Sequence, residues 1–199
     1  MRADSEPMIT LNDITAALRA HTPVPMPVNG DRKACVMVTL VQKDAGLHVL
    51  LTKRTDSVEH HKGQISFPGG MVDENDASDT ETALRELDEE TGIPRDRITI
   101  LGTLNDIHIP SGFVVTPVVG YIASLCELRT SAAEVAEVLL IPIERFLDPS
   151  LRRMEPRELK GIVRQVYFYD VWKEPVWGAT AHIIKQLTDL IAAGSGTER

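Results

Sequence analysis

Apolar residues recur at the three- and four-residue spacing of an amphipathic helix in three parts of the chain. The first is residues 11–20, where Asn12 or Asp13 is a candidate N-cap. The second starts at Ser78, which has the spacing of a capping box with Glu81. It ends at Gly92, the first of the residues that terminate a helix. The third is residues 179–194, with five aliphatic residues on one face. The pattern predicts three helices.

β-branched and aromatic residues dominate six further segments and predict strands. These segments are 33–42, 46–54, 97–109, 113–123, 134–142 and 163–172. A short strand before the turn "FPGG" is a seventh candidate. Strands alternating with helices indicate an α/β protein. We divide the chain into an N-terminal helix and proline-rich strap (1–31), one domain (32–193) and a disordered tail (194–199).

Length and charge narrow the class of protein. A chain of 199 residues with 43% apolar composition is long enough for one globular domain. Its net charge of -8 argues against nonspecific binding to nucleic acid or to an anionic membrane. The sequence shows neither a secretory leader nor an apolar run of membrane-spanning length, so we expect a cytoplasmic protein. Cys35 and Cys126 lie in apolar segments and are interpreted as reduced core residues.

The stretch "TALRELDEETGI", residues 82–93, places several carboxylates on one predicted helix. Residues three and four apart are neighbours on a helix, so Glu86, Glu89 and Glu90 are expected to share a face. Like charges at this spacing oppose helix formation by about 0.2–0.5 kcal/mol per pair. A solvated acidic face is the simplest interpretation. The alternative is a site for a hard cation such as Mg²⁺, with Arg85 pairing with Glu81 or Glu89 to fix the geometry.

This stretch resembles the signature of the Nudix hydrolases. Residues 85–93, "RELDEETGI", fit the second half of the Nudix box, R-E-U-x-E-E-x-G-U (U aliphatic), at every defined position. In the first half, the box expects glycine at Met71 and glutamate at Ala77. Gly70 and Asp76 stand one residue earlier instead.

The preceding segment resembles the coenzyme A branch of that superfamily, whose signature is LLTxR[SA]xxxRxxxGxxxFPGG. The matching positions are Leu50, Leu51, Thr52, Arg54, Gly63, Phe67, Pro68, Gly69 and Gly70. The branch carries the same one-residue lengthening, with aspartate replacing the first glutamate. Two positions depart from the signature: Thr55 replaces a small residue, and Glu59 replaces an arginine, which reverses a charge.

The resemblance implies a Nudix fold, an α/β/α sandwich with a mixed sheet. It also implies a hydrolase that cleaves the diphosphate of coenzyme A or acyl-coenzyme A with Mg²⁺ or Mn²⁺. ADP-ribose, a nucleotide sugar or a nucleoside triphosphate are alternative substrates, and a nucleotide-binding module without activity is a third hypothesis.

Each predicted site residue has an implied role. Glu86, Glu89 and Glu90, with the Gly70 carbonyl, would hold metal. Glu89 is the first candidate for the general base, with Glu134 or Glu137 as alternatives, and Arg85 would orient the glutamates. The predicted substrate-binding residues are Arg54, His61, Gly69 and Gly70. The apolar segments 112–123 and 171–184 could form a homodimer interface, but a core role is favoured.

Overall fold

The computed structural model describes residues 9–55, 63–125, 127–159 and 161–194. Its helices are α1 (Leu11–Ala20), α2 (Asp79–Thr91), α3 (Ile143–Leu147) and α4 (Gly178–Gly194). Its strands are β1 (Arg32–Lys43), β2 (Gly46–Arg54), β3 (Ile65–Ser66), β4 (Gly69–Met71), β5 (Thr99–Thr103), β6 (Ile107–Ile109), β7 (Phe113–Ile122), β8 (Val135–Pro142), β9 (Arg152–Leu159), β10 (Ile162–Tyr169) and β11 (Val176–Trp177). Two short 3₁₀ turns, Arg95–Arg97 and Pro149–Leu151, complete the described elements.

The main sheet has eight strands and is mixed. β1 is central and pairs in parallel with β7, while its pairings with β2 and β4 are antiparallel. β2 pairs with β3 and β8, and β7 pairs with β5 and β6, all antiparallel. A separate three-stranded sheet has the order β11-β10-β9.

Helices cover both faces of the main sheet, so the predicted α/β/α sandwich is confirmed. Leu84 and Leu87 of α2 pack with Met37 and Val118 in the core on one face. On the other face, a larger core joins α1 and α4 to the sheet. β1 and β7 therefore carry apolar residues towards both layers, as expected of strands buried on both sides. The segments 112–123 and 171–184 contribute mainly to these cores.

The N-terminal strap lies along the β6 side of the sheet. The Val24 N–H donates to Asn105 Oδ1 at 2.9 Å, and the Asp106 N–H donates to the Val24 carbonyl at 3.1 Å. The Met26 N–H donates to Asp106 Oδ2 at 2.9 Å. The strap thus satisfies polar groups on the segment between β5 and β6.

The structure differs from the predicted elements at several places. The N-cap of α1 is Thr10, and Asp13 is its capping-box partner rather than the cap. The strand predicted over 97–109 is divided into β5 and β6, with a register shift near Gly102. β10 ends at Tyr169, before the predicted limit. Sequence reasoning missed β4, β9, β11 and α3, because β9 is polar and contains a proline, and the other three are short.

None of the helices in these described ranges has the length and apolar character needed to cross a membrane. Cys35 is fully buried, and burial raises the pKa of its thiol to about 12, in agreement with a reduced core residue. Cys126 lies outside the described residues.

Candidate active site

Local signals at both ends fix the position of α2. The Ser78 hydroxyl accepts a hydrogen bond from the Glu81 N–H at 3.2 Å, as its capping spacing predicts. Gly92 adopts φ 70°, a left-handed conformation that favours glycine, and its N–H donates to the Asp88 carbonyl at 2.7 Å. The Glu81 carboxylate pairs with Arg95 at 2.7 Å rather than with Arg85.

The three glutamates of the box differ strongly in exposure. Glu90 is only 3% exposed, whereas the side chains of Glu86 and Glu89 are 16% and 60% exposed. The simpler interpretation, a solvated acidic face, is therefore wrong for Glu90. Exposure to solvent increases from Glu90 through Glu86 to Glu89.

Glu90 is held by two donors from outside its helix. Its Oε1 accepts from the Gly69 N–H at 3.2 Å, and its Oε2 accepts from the Thr52 hydroxyl at 3.2 Å. Burial raises the pKa of Glu90 to about 7, although these two hydrogen bonds and the charge of Arg54 favour the ionised form. Ionised Glu90 is therefore costly in free energy at this buried position unless a cation lies nearby.

Glu86 lies directly against the turn that precedes the helix. A Cβ atom added at Gly70 would stand 2.3 Å from Glu86 Oε1, far inside van der Waals contact. Burial raises the pKa of Glu86; Arg85 opposes this shift, whereas the charges of Glu89 and Glu134 add to it. A side chain at position 70 would thus displace this carboxylate.

Arg85 links the turn to the carboxylates. Its Nη1 donates to Glu86 at 2.7 Å and to Glu89 at 3.3 Å. Its Nη2 donates to the Met71 carbonyl at 3.1 Å. The predicted pairing with Glu89 and the predicted bracing position of Arg85 are both present in this geometry. Its role in a reaction stays a prediction.

Asp76 accounts for the displaced first half of the box. Its carboxylate accepts from Arg85 Nε at 3.0 Å and Nη2 at 2.8 Å, which is a bidentate pair. The Thr82 hydroxyl and the Asp73 N–H donate to the same carboxylate at 2.8 and 2.9 Å. Hydrogen bonding by Arg85 holds the pKa of Asp76 well below its usual range. The aspartate therefore anchors Arg85 despite standing one residue early.

The glutamate carboxylates are the kind of ligand that a hard divalent cation prefers. In this structure, however, they are not arranged around a common point as metal ligands would be. Carboxylate oxygens are the ligands that Mg²⁺ and Mn²⁺ prefer, and Glu86 and Glu90 are crowded and partly desolvated. Within the part of the chain that the structure describes, no three His, Cys, Asp or Glu side chains are grouped to hold a metal ion. Arg85 competes for Glu86 and Glu89, since it already donates to both.

The other predicted substrate-binding residues fall in three different situations. Arg54 lies at the end of β2, close enough for its charge to favour ionisation of Glu90. The N–H of Gly69 is used by Glu90, and a Cβ at Gly69 would stand 2.4 Å from the Cys35 carbonyl oxygen. His61 lies outside the described residues, as does Glu59.

A loop that sequence reasoning did not place completes the site. The Arg129 N–H donates to the Thr91 carbonyl at 2.9 Å, and the Ser131 N–H donates to the Glu90 carbonyl at 3.1 Å. The same loop reaches β2, because the Thr55 N–H donates to the Glu134 carbonyl at 2.9 Å. Glu134, one of the two alternative general bases, is thereby brought within electrostatic reach of Glu86, whereas Glu137, the other, is an exposed residue of β8.

Thr52 is the main site contact that the sequence analysis did not interpret. A threonine that directly follows the apolar residues 49–51 of a buried strand was a usable signal, since its hydroxyl needs a partner there. The partner, Glu90, could not be identified without the fold.

Comparison with known proteins gives the family. A family model described as "NUDIX domain" matches residues 31–160. The chain is 34% identical over 186 residues to "Uncharacterized Nudix hydrolase NudL" of Photorhabdus laumondii, covering 92% of this chain and 99% of the relative. It is 37% identical over 180 residues to the protein of the same name in Pectobacterium atrosepticum, covering 89% and 92%.

Solved structures agree on the fold. A "MutT/nudix family protein from Enterococcus faecalis" superposes with a TM-score of 0.56 at 20% identity, covering 92% of this chain and 70% of that one. The "Nudix Hydrolase from M. Smegmatis, RenU" gives a TM-score of 0.50 at 20% identity, covering 58% and 73%. With the family model and the relatives, these matches lead to one conclusion: the chain belongs to the Nudix hydrolases, enzymes that act on pyrophosphate bonds.

Proposed function

We propose that this Nudix hydrolase cleaves the diphosphate of coenzyme A or of an acyl derivative, giving 3',5'-ADP and 4'-phosphopantetheine. The observation that carries the proposal is the position of the coenzyme A signature residues. Thr52 and Gly69 donate to Glu90, Gly70 packs against Glu86, and Arg54 acts electrostatically on Glu90. Residues that match the signature thus surround the carboxylates of the box.

Glu86, Glu89 and Glu90, with the Gly70 carbonyl, are the residues that would hold the divalent ions. When bound, Mg²⁺ or Mn²⁺ would neutralise diphosphate charge and acidify water at the site. Nudix hydrolases in general require such ions. The contacts of the two glutamates hold them in place for this role. Both carboxylate oxygens of Glu90 accept hydrogen bonds, and the Glu86 carboxylate lies between Gly70 and Arg85.

Glu89 is the proposed general base, because a proton acceptor has to reach solvent water and its side chain is 60% exposed. Glu134 is the first alternative, since its loop holds it near Glu86, and Glu137 on β8 is the second. Replacing each with glutamine separates them. The variant that lacks the base should lose turnover and the acidic limb of its pH profile, while the others should keep the wild-type profile.

Arg54 is the proposed phosphate contact among the described residues. It lies at the end of β2, beside the buried carboxylates, where its guanidinium can meet an anionic group. His61 is a second candidate from sequence alone. Glu59 opposes the coenzyme A assignment, because a carboxylate repels phosphate where the signature has arginine.

A substrate panel with Mg²⁺ and with Mn²⁺ tests the proposal. Coenzyme A, ADP-ribose, NADH, nucleotide sugars and nucleoside triphosphates are compared by kcat/KM, with Glu90→Gln as the inactive control. Coenzyme A should be preferred; a tenfold preference for another compound would overturn the substrate assignment. Turnover of none of them would favour a nucleotide-binding module. Glu59→Arg should raise kcat/KM for coenzyme A if that position contacts phosphate.

A further inference from the structure

Thr82 is a fully buried residue of α2 whose hydroxyl bonds outside its own helix. The hydroxyl lies 2.8 Å from Asp76 Oδ2 but 3.4 Å from the Ser78 carbonyl, one turn earlier in the chain. A hydroxyl has one hydrogen to donate, so the carboxylate, at the shorter distance, receives it. Thr91, also fully buried in α2, shows the usual alternative, because its hydroxyl donates to the Leu87 carbonyl of its own helix at 2.6 Å.

Threonine is a costly residue at this position unless its hydroxyl has a partner. β-branched residues form helices less readily than alanine or leucine do. A buried hydroxyl without a hydrogen-bond partner also lowers the stability of a protein. The carboxylate of Asp76, whose side chain is only 7% exposed, supplies the partner here. An aliphatic residue would fill the same space without this bond, so the bond itself is the gain from threonine.

Asp76 connects Thr82 to Arg85. Its Oδ2 accepts from the Thr82 hydroxyl and from Arg85 Nη2, both at 2.8 Å, and its Oδ1 accepts from Arg85 Nε at 3.0 Å. Thr82 and Arg85 are three residues apart and are therefore neighbours on the helix. Another donor to Asp76, the Asp73 N–H at 2.9 Å, belongs to the same exposed turn as Asp76. The short side chain of Thr82 thus ties the carboxylate to α2 itself.

The hold of Asp76 decides how Arg85 meets the glutamates. Because Nε and Nη2 donate to Asp76, only Nη1 donates to Glu86 and Glu89, at 2.7 and 3.3 Å. A guanidinium that turned away from Asp76 would be free to pair with Glu86 through two N–H groups, the geometry that arginine and carboxylate favour. Such a pair would occupy both oxygens of a proposed metal ligand.

We propose that Thr82 is a positioning residue of the active site. By orienting Asp76, it holds Arg85 where the guanidinium leaves one side of Glu86 available to a divalent ion. This role rests on the metal-binding function proposed for Glu86, but it does not depend on which diphosphate is the substrate. A threonine needed only for packing would affect folding alone, whereas this one should also affect metal affinity.

Two substitutions separate the hydroxyl from the shape of the side chain. Thr82→Val keeps the branched shape without the donor, and Thr82→Ser keeps the donor without the methyl group. The matched control is Thr116→Val, since Thr116 of β7 is a buried threonine that donates to Asp106 at 2.7 Å, outside the candidate site. Binding of Mn²⁺ alone is titrated by electron paramagnetic resonance, and kcat and KM are measured with the best substrate of the panel. Urea unfolding confirms the fold, and Thr82→Ala replaces the valine variant if that variant does not fold.

Thr82→Val should weaken Mn²⁺ binding at least about fivefold and lower kcat, with KM changed less than about twofold. Thr82→Ser and Thr116→Val should bind Mn²⁺ as the wild type does. In an Asp76→Ala background, Thr82→Val should have little further effect, because both substitutions break the same connection. Wild-type Mn²⁺ affinity in Thr82→Val, an equal loss in Thr82→Ser or an undiminished effect in the Asp76→Ala background would each overturn the role of Thr82 alone. A wild type that binds no Mn²⁺ would overturn the proposed metal site together with it.

Discussion

A Cβ atom at position 70 would stand 2.3 Å from Glu86 Oε1, so the turn and the helix approach each other as closely as glycine allows. The atom that would be displaced is the flexible end of a side chain. We therefore expect Gly70→Ala to fold with nearly unchanged stability but to lose about 10–100-fold in kcat/KM, because Glu86 must move. Kinetics and thermal unfolding measure the two effects. Wild-type activity in the variant would contradict the proposed role of Glu86.

Gly69→Ala, in contrast to Gly70→Ala, should lower the stability of the protein. Here the added Cβ meets the Cys35 carbonyl oxygen at 2.4 Å, and backbone cannot move aside as a side chain can. We expect a loss of about 1–3 kcal/mol in the free energy of unfolding, measured by urea titration. Only the Gly69 substitution is therefore expected to destabilise the fold, although both glycines contact carboxylates of the site. Equal destabilisation by both substitutions would argue against this distinction.

Glu90→Gln should abolish metal-dependent turnover, by at least about 100-fold, while the protein stays folded. Binding of Mg²⁺ provides a second measurement that does not depend on activity. At a concentration of 100 times the dissociation constant, a bound ion stabilises the wild type by about 2.7 kcal/mol. Thermal unfolding with Mg²⁺ and with EDTA should show this gain in the wild type and in an Asp88→Asn control, and a smaller gain in Glu86→Gln and Glu90→Gln. An undiminished gain in both glutamine variants would refute the ligand assignment.

Asp76→Asn should lower stability in a pH-dependent way. The folded-state pKa of Asp76 lies below its unfolded value, so its stabilising contribution is present above about pH 4 and is lost as the pH falls towards the folded-state value. At pH 7 we expect a loss of about 1–3 kcal/mol, since the hydrogen bonds to Arg85 are charge-assisted. Urea titrations at pH 7 and pH 3 should show the difference between variant and wild type shrinking in acid. A constant difference would mean that the Arg85 pair is not its source.

The sequence predicted most of the fold because its signals are local. Ser78 and Gly92 delimit α2, and near-continuous apolar runs rich in β-branched residues identify β1, β2 and β7. The burial of Glu90 could not be predicted in this way. It depends on Thr52 and Gly69, which are distant in sequence and meet α2 only after the sheet has formed.

The anchoring role of Asp76 was similarly hidden. The box places its acidic residue at position 77, and only the path of the turn shows that a carboxylate at 76 reaches Arg85. β9 was missed for a different reason: its outer half has no core to face, so it lacks the apolar alternation that identifies a buried strand.

The loop of residues 129–134 joins the end of α2 to the end of β2 through main-chain hydrogen bonds. A Cβ at Gly92 would also contact Arg129, at 2.8 Å, so the joint is tightly fitted. Exchanging this loop for that of another Nudix enzyme, in order to redesign substrate choice, would alter the seating of Glu90 at the same time. We expect an active chimera only where the new loop has the same length and still donates main-chain hydrogen bonds to the carbonyls of Glu90 and Thr91.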